Sequence, residues 1–81
     1  MNDDRQGIRR GIVEVVGAVF GLVPESVESG VSPASVENWN SEKHVELVVA
    51  LEERFGCMFD AEEVPELTSL EQMEAIIRRH A

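Results

Sequence analysis

One amphipathic run of fifteen residues, SEKHVELVVALEERF, constrains the fold more than any other feature of the sequence. Its apolar residues recur at intervals of three and four, which is the spacing of a single buried helix face. Gly56 follows as a stop signal, and either Asn40 or Ser41 serves as the cap in front. Such a helix is stable only when other elements cover its apolar face. The predicted core stripe is His44, Leu47, Val48, Leu51 and Phe55, with Val45 and Val49 beside it and partly exposed.

The first half of the chain predicts another long helix and a packed crossover. Apolar residues follow helical spacing from Ile8 to about Gly21. The segment from Pro24 to Asn40 is too rich in Ser, Pro and Gly for a long element, and a helical turn is expected to begin at Ser32-Pro33. Because apolar residues still recur in this segment, we interpret it as a packed loop and not a flexible linker. These residues are Val27, Val31, Val36 and Trp39.

The last third of the chain predicts one short helix and one longer helix. Asp60 and Glu63 have capping-box spacing for the short helix, which Pro65 should prevent from extending further. Thr68 and Glu71 repeat this spacing ahead of the longer helix. No segment shows the sustained alternation of a strand. The sequence therefore predicts an all-α fold, a small four-helix bundle with three main helices, one short helix and a long packed loop between the first two main helices.

The charge distribution narrows the class of partner. The 81 residues, interpreted as one domain over residues 1–81, carry seven Lys or Arg and sixteen Asp or Glu, a net charge of −9. Thirteen of the acids lie between Glu25 and Glu74, where only Lys43 and Arg54 oppose them. Because such a surface repels phosphate backbones, we expect no nucleic-acid partner and instead enzymes with basic docking patches.

Cysteine usage and hydropathy indicate the compartment. Cys57 is the only cysteine, so no internal disulfide can form and a reducing cytoplasm is expected. No apolar stretch approaches the roughly 20 residues of a membrane span. The first residues, MNDDRQG, include early acids and no apolar region of a signal peptide. We therefore expect a cytoplasmic protein without a membrane span.

Ser41 has two interpretations that its position alone does not separate. It is either a helix cap or a modification site, because the positive end of the helix dipole favours a phosphate ester there. A hydrolase built on Ser41 and His44 is disfavoured. The sequence has no G-x-S-x-G elbow, no third group to orient the imidazole and no glycine-rich oxyanion loop. No catalytic residue is predicted, and we do not expect an enzyme.

The other polar residues that stand out have structural interpretations. The acids at 60, 62 and 63 lack the spacing and the glycine of a calcium loop, so no metal ligand is predicted. His80, near the end of the last helix, is expected to be solvated, whereas His44 is expected to be partly buried. Trp39, the only tryptophan, should pin the loop to the bundle and thereby hold Ser41 in a fixed pose.

Short motifs around Ser41 follow a spacing known from one protein family. That family has a serine four residues before a run like V-E-L-V-x-A-L-E-E-x-F, and Val45–Phe55 fits the run. A freestanding subtype adds S-P, W-D-S, a histidine three residues past the serine, F-G and a later Phe. The residues here are Ser32-Pro33, Trp39-Asn40-Ser41, His44, Phe55-Gly56 and Phe59. The chain thus resembles the acyl carrier proteins over most of its length, most weakly in the first helix.

The resemblance implies a carrier that catalyses nothing itself. Ser41 would be the attachment site of 4′-phosphopantetheine, transferred from coenzyme A by a phosphopantetheinyl transferase, with Asn40 and Trp39 beside it as cofactor-binding residues. The arm's thiol would hold an acyl or related cargo as a thioester for acyl-activating, acyl-transfer or synthase enzymes, as in fatty acid or polyketide biosynthesis. We expect the carrier to be a monomer. The partner-binding residues implied on the second main helix are Glu42, Val45, Glu46, Val49, Glu52 and Glu53.

Three positions depart from the family's pattern. Asn40 replaces the aspartate of the motif, Glu42 replaces its leucine, and Lys43 stands where many carriers have an acid or glycine. Asn is still a good cap, so the helix should persist. Because a transferase would touch these positions, an alternative stays open, in which the chain is an unmodified carrier-like module that binds proteins.

Overall fold

The computed structural model describes residues 4–80, with side chains described from residue 7 onwards. Residues 1–3, which open the segment tested above for a signal peptide, and residue 81 lie outside the described residues. The described part is all-helical and has no strand, as the sequence predicts. Its elements are α1 (Asp4–Phe20), α2 (Pro24–Glu28), α3 (Ser41–Phe55), a 3₁₀ helix (Val64–Glu66) and α4 (Leu70–His80).

The helix α1 packs against both α3 and α4, and the three enclose one hydrophobic core. Residues without exposed surface come from each of them, which confirms the apolar spacing as a core signal. Examples are Ile12, Val16, Leu47, Leu51 and Met73. His44 and Phe55, at the two ends of the stripe predicted for α3, are half-buried. Between residues 4 and 80, no helix combines the length and the apolar character needed to cross a membrane.

Two glycines of α1 stand where a side chain would collide. A Cβ atom at Gly17 would lie 2.7 Å from the backbone oxygen of Leu22, and one at Gly11 would lie 2.7 Å from Cζ of Phe55. Gly21 then ends the helix with φ of 70°, in the left-handed region that favours glycine. The glycines that lower the helix propensity of α1 therefore allow its neighbours to approach closely.

The loop between α1 and α3 is packed, as its recurring apolar residues predict. All four are buried, namely Val27, Val31, Val36 and Trp39. The short helix α2 lies at the start of the segment that the sequence predicts as a loop, because the fixed φ of Pro24 suits the first position of a helix. The helical turn expected at Ser32-Pro33 is one turn over residues 33–35, closed by Ser35 N donating to Ser32 O at 3.0 Å.

The short helix after α3 lies later in the chain than predicted. Pro65 does not stop it but lies inside it, because the first turn of a helix needs no N–H from that position. One of the two hydrogen bonds of the predicted capping box forms in the turn before this helix: Asp60 N donates to Glu63 Oε1 at 2.9 Å.

The cap of α4 is shifted by one residue from the predicted pair of Thr68 and Glu71. Gln72 N donates to Ser69 Oγ at 3.2 Å, and Met73 N donates to Ser69 O at 3.0 Å. Ser69 therefore caps α4, because Ser-x-x-Gln is an equally good capping sequence and lies next to the first apolar residue of the helix.

Candidate functional site

Asn40, and not Ser41, is the N-cap of α3. Its backbone is extended, with φ −115° and ψ −173°, and Lys43 N donates to its Oδ1 atom at 2.9 Å. His44 N donates to the carbonyl oxygen of Asn40 at 2.8 Å, which is the first hydrogen bond of the helix. The structure thus decides between the two caps that the sequence leaves open, and Ser41 has no capping role.

Ser41 is the first residue of α3, and its side chain is exposed. Within the described part of the chain, no hydrogen bond occupies its Oγ atom. The first N–H groups of a helix lack helical acceptors, and with the helix dipole they create a positive potential at this end. The hydroxyl is therefore accessible and lies where a negatively charged substituent is favoured.

A groove of about 530 Å³ opens beside Ser41. Its lining residues come from three segments, which are the loop before α3, the first turns of α3, and the 3₁₀ helix with the residues after it. The lining is mainly apolar, with Pro33, Trp39, Val45 and Pro65 as its apolar members. An extended group attached at Ser41 therefore has a surface on which to lie.

His44 connects two of the segments that line this groove, the loop before α3 and the 3₁₀ helix. Trp39 Nε1 donates to His44 Nδ1 at 3.0 Å, and His44 Nε2 lies 2.7 Å from the carbonyl oxygen of Val64. Trp39 is buried and its ring centroid lies 4.7 Å from that of Phe20, so it fixes the loop to α1. Because both imidazole nitrogens are engaged in this way, neither is bonded to Ser41, as a serine hydrolase would require.

The exposed face of α3 carries most of the residues implied as partner-binding. Val45 and Val49 are 59% and 46% exposed, in agreement with their position beside the predicted core stripe. Glu42, Glu46 and Glu53 are exposed as well. Two apolar side chains one turn apart, with carboxylates around them, form a surface that suits a basic partner with an apolar contact at its centre.

Glu52 differs from the other carboxylates of α3. Its side chain is half-buried, and its Oε2 atom accepts a hydrogen bond from Phe59 N at 2.9 Å. The carboxylate of Glu52 therefore holds the chain that leaves α3, whereas those of Glu42, Glu46 and Glu53 are exposed. Burial, followed by the charges of Glu52 and Glu63, raises the pKa of the Cys57 thiol. This thiol is therefore not activated as a nucleophile.

Lys43 makes a contact that the sequence does not reveal. Its Nζ atom donates to Val19 O at 3.2 Å, near the end of α1, and lies 3.5 Å from Glu46 Oε1. Carbonyl groups in the last turn of a helix lack helical partners, so a cation is favoured there. Because the two residues are 24 positions apart, no local pattern could indicate the pairing. The unusual lysine of the motif thus has a structural partner in α1.

A second groove, of about 400 Å³, is lined by charged residues around Glu63. His80 Nε2 lies 2.8 Å from Glu63 Oε1, and the His80 ring meets Phe59 edge-on at 5.5 Å between centroids. The expectation that His80 is solvated is wrong, since it is half-buried. The hydrogen bond from Asp60 N, followed by that of His80, lowers the pKa of Glu63.

Among the described residues, no group of three or more His, Cys, Asp or Glu could hold a metal ion.

Comparison with known proteins adds no family assignment. The sequence matches no protein-family model, and no curated protein is significantly similar to it. The described residues form a small all-helical bundle, which is the coarser part of the fold expectation. What the protein does is therefore argued from the geometry around Ser41.

Proposed function

We propose that this chain is a carrier protein of the acyl carrier type, modified on Ser41 with 4′-phosphopantetheine from coenzyme A. One observation carries the proposal. The Ser41 hydroxyl is exposed at the start of α3 and is not needed as a cap, because Asn40 caps the helix. A serine that serves only the helix would be expected to accept a backbone N–H.

The surroundings of Ser41 fit a phosphodiester followed by an extended arm. The N-terminus of α3 favours the negative charge, and the groove lined by Trp39, Val45 and Pro65 offers apolar contact to the arm. When bound, the arm supplies a terminal thiol that holds an acyl or related cargo as a thioester. The chain's own residues present that arm, and they carry out no chemical step.

The partner surface of such a carrier is the exposed face of α3. Val45 and Val49 supply the apolar contact, and Glu42, Glu46 and Glu53 supply the charge that steers the carrier to basic patches on a transferase and on acyl-activating, acyl-transfer or synthase enzymes. Glu52 contributes less, because it is engaged with Phe59 N.

Intact mass after coexpression with a broad-specificity phosphopantetheinyl transferase tests the proposal. We expect the wild-type chain to gain the mass of one phosphopantetheine group and Ser41→Ala to gain nothing. Ser26→Ala is the matched control, because Ser26 is also an exposed serine in the first turns of a helix and should leave the adduct intact. An adduct that persists in Ser41→Ala would contradict the assignment.

A second candidate is an unmodified carrier-like module that binds proteins. It is favoured by Glu42, the residue after Ser41, because its exposed carboxylate adds a negative charge that opposes an incoming phosphate. The double variant Asn40→Asp, Glu42→Leu restores the family's motif and separates the two candidates. Modification of the double variant but not of the wild type would support the module, whereas modification of neither would contradict the carrier.

A further inference from the structure

Three segments of the chain meet at the imidazole of His44. The loop contributes the Trp39 indole, α3 contributes His44 itself, and the 3₁₀ helix contributes the Val64 carbonyl. The rings of Trp39 and His44 are close to parallel, at 27°, with centroids 6.1 Å apart. Trp39 and Pro65 both line the groove at Ser41, so this one side chain ties the loop side of the groove to its 3₁₀ side.

The partners of His44 fix which nitrogen carries the proton. An indole N–H can only donate, so Nδ1 must accept and has no hydrogen. A backbone carbonyl can only accept, so Nε2 must carry the proton and donate to Val64 O. In the other neutral tautomer, two N–H groups would face each other at 3.0 Å and two lone-pair atoms would face each other at 2.7 Å.

The bond to Val64 matters because it holds the backbone of the 3₁₀ helix directly, in addition to the packing of the Val64 side chain against the core. The helix is only three residues long, Val64 is half-buried, and its neighbours Pro65 and Glu66 are exposed. Trp39, by contrast, is also held by its contact with Phe20. Loss of the imidazole should therefore release the 3₁₀ side of the groove more than the loop side.

We propose that His44, held as the Nε2–H tautomer, is a positioning residue that sets the width of the groove beside Ser41. It acts through Trp39 and Val64 and does not touch the hydroxyl. The inference rests on the proposed function, in that the groove so fixed is the surface presented together with the modified serine. A chain without this contact samples open forms of the groove. Its affinity for the transferase falls in proportion to the fraction of molecules in which the groove has the binding-competent form.

Nuclear magnetic resonance of the unmodified, ¹⁵N-labelled chain tests the contact without any transferase. We expect Nδ1 of His44 to resonate as an unprotonated nitrogen and Nε2 as a protonated one, with a scalar coupling from the Trp39 indole N–H to Nδ1. In His44→Leu, the indole hydrogen of Trp39 should exchange with solvent faster than in the wild type. The Nδ1–H tautomer, or an indole that exchanges equally fast in both proteins, would overturn the inference.

Modification kinetics test the positioning role. We expect His44→Leu to raise the KM for the carrier in the transferase reaction about threefold to tenfold, with kcat nearly unchanged. His44→Gln should recover much of this loss, because its amide can accept from Trp39 and donate to Val64. An equal KM in all three proteins, or a fall in kcat alone, would contradict the role.

The two experiments separate the inference from the proposed function. If the wild-type chain is not modified, the proposed function fails, and the resonance of His44 still decides whether the imidazole ties the two sides of the groove. If His44→Leu does not fold, the wild-type tautomer and the KM of His44→Gln decide in its place. A folded His44→Gln with wild-type KM and the expected tautomer supports the inference.

Discussion

Two histidines fasten the segment around the 3₁₀ helix, and they do so in different surroundings. His44 engages the Val64 carbonyl and the Trp39 indole, in a groove where, among the described residues, it is the one ionisable side chain of the lining. His80 engages the carboxylate of Glu63, in a groove lined by charged residues. We call the first region, which contains Ser41 and is held by hydrogen bonds and apolar burial, the neutral region. We call the second, where hydrogen bonds and ion pairs meet at the Glu63 carboxylate, the charged region.

Because of this difference, salt should affect the stability of the two regions unequally. Hydrogen bonds between neutral groups beside a buried ring are little affected by salt, whereas ion pairs at partly exposed groups are screened and contribute little each. Arg79 Nη2, for example, lies 3.5 Å from Glu63 Oε2 and its side chain is 62% exposed. We therefore expect the groove beside Ser41 to respond less to salt than the groove around Glu63.

The largest expected effect comes from removing the ring that holds the neutral region. Trp39→Ala should lower the free energy of unfolding by about 3 to 5 kcal/mol, because it removes a buried aromatic side chain and its packing on Phe20. Phe59→Ala is the matched change in the charged region. Its loss should be smaller, since Phe59 is only half-buried. Urea unfolding at neutral pH measures both.

The comparison would be contradicted if Phe59→Ala lowered the free energy of unfolding as much as Trp39→Ala does, or more. If Trp39→Ala proves too unstable to purify, Trp39→Phe takes its place. That change keeps an aromatic ring and removes the donor to His44, so it should cost about 1 kcal/mol.

Within the neutral region, a smaller effect distinguishes the helix cap, Asn40, from the exposed hydroxyl of Ser41. Asn40→Ala should lower the free energy of unfolding by about 1 kcal/mol, because Lys43 N loses its acceptor. Ser41→Ala should change it by less than about 0.5 kcal/mol, because Ser41 is exposed. Thermal unfolding of the two variants side by side makes the measurement. A Ser41→Ala loss as large as that of Asn40→Ala would mean that the serine serves the helix after all.

The sequence predicts the neutral region better than the charged one, for a physical reason. Apolar spacing, Gly56 as the stop and a polar cap are local signals, and they place α3 and the exposure of Val45 and Val49 correctly. The choice between Asn40 and Ser41 depends on one dihedral angle at the cap, which composition does not encode.

Contacts between distant residues could not be predicted. Lys43 to Val19 and His80 to Glu63 join residues 24 and 17 positions apart, and each depends on how the helices pack. Likewise, the resemblance implies a partner-binding role for Glu52, but no local pattern indicates that the chain after α3 folds back onto its carboxylate. The local spacing of residues predicts which face of a helix a side chain lies on. The partner that it contacts depends on how the helices and loops pack.

The smallest expected effect is the change with pH in the stability that the Glu63 carboxylate gives to the fold. The pKa of Glu63 is lowered in the folded chain, chiefly by the hydrogen bond from Asp60 N and then by His80. A carboxylate with a lowered folded pKa stabilises the fold above its unfolded value, about 4.3 for Glu, and this contribution is lost as the pH falls through the folded value. Glu63→Gln lacks the charge, so the Tm difference between wild type and variant should shrink once the pH falls below about 4.

Thermal unfolding from neutral pH down to about pH 2.5 measures this difference, with Glu62→Gln as the control. Glu62 also lines the charged groove but is exposed, so its variant controls for the loss of one nearby negative charge. If the difference for Glu63→Gln stays constant through acid, the carboxylate charge is not what holds His80 and Asp60 N. The charged region would then depend on neutral hydrogen bonds as the groove at Ser41 does, and the contrast between the two histidines would disappear.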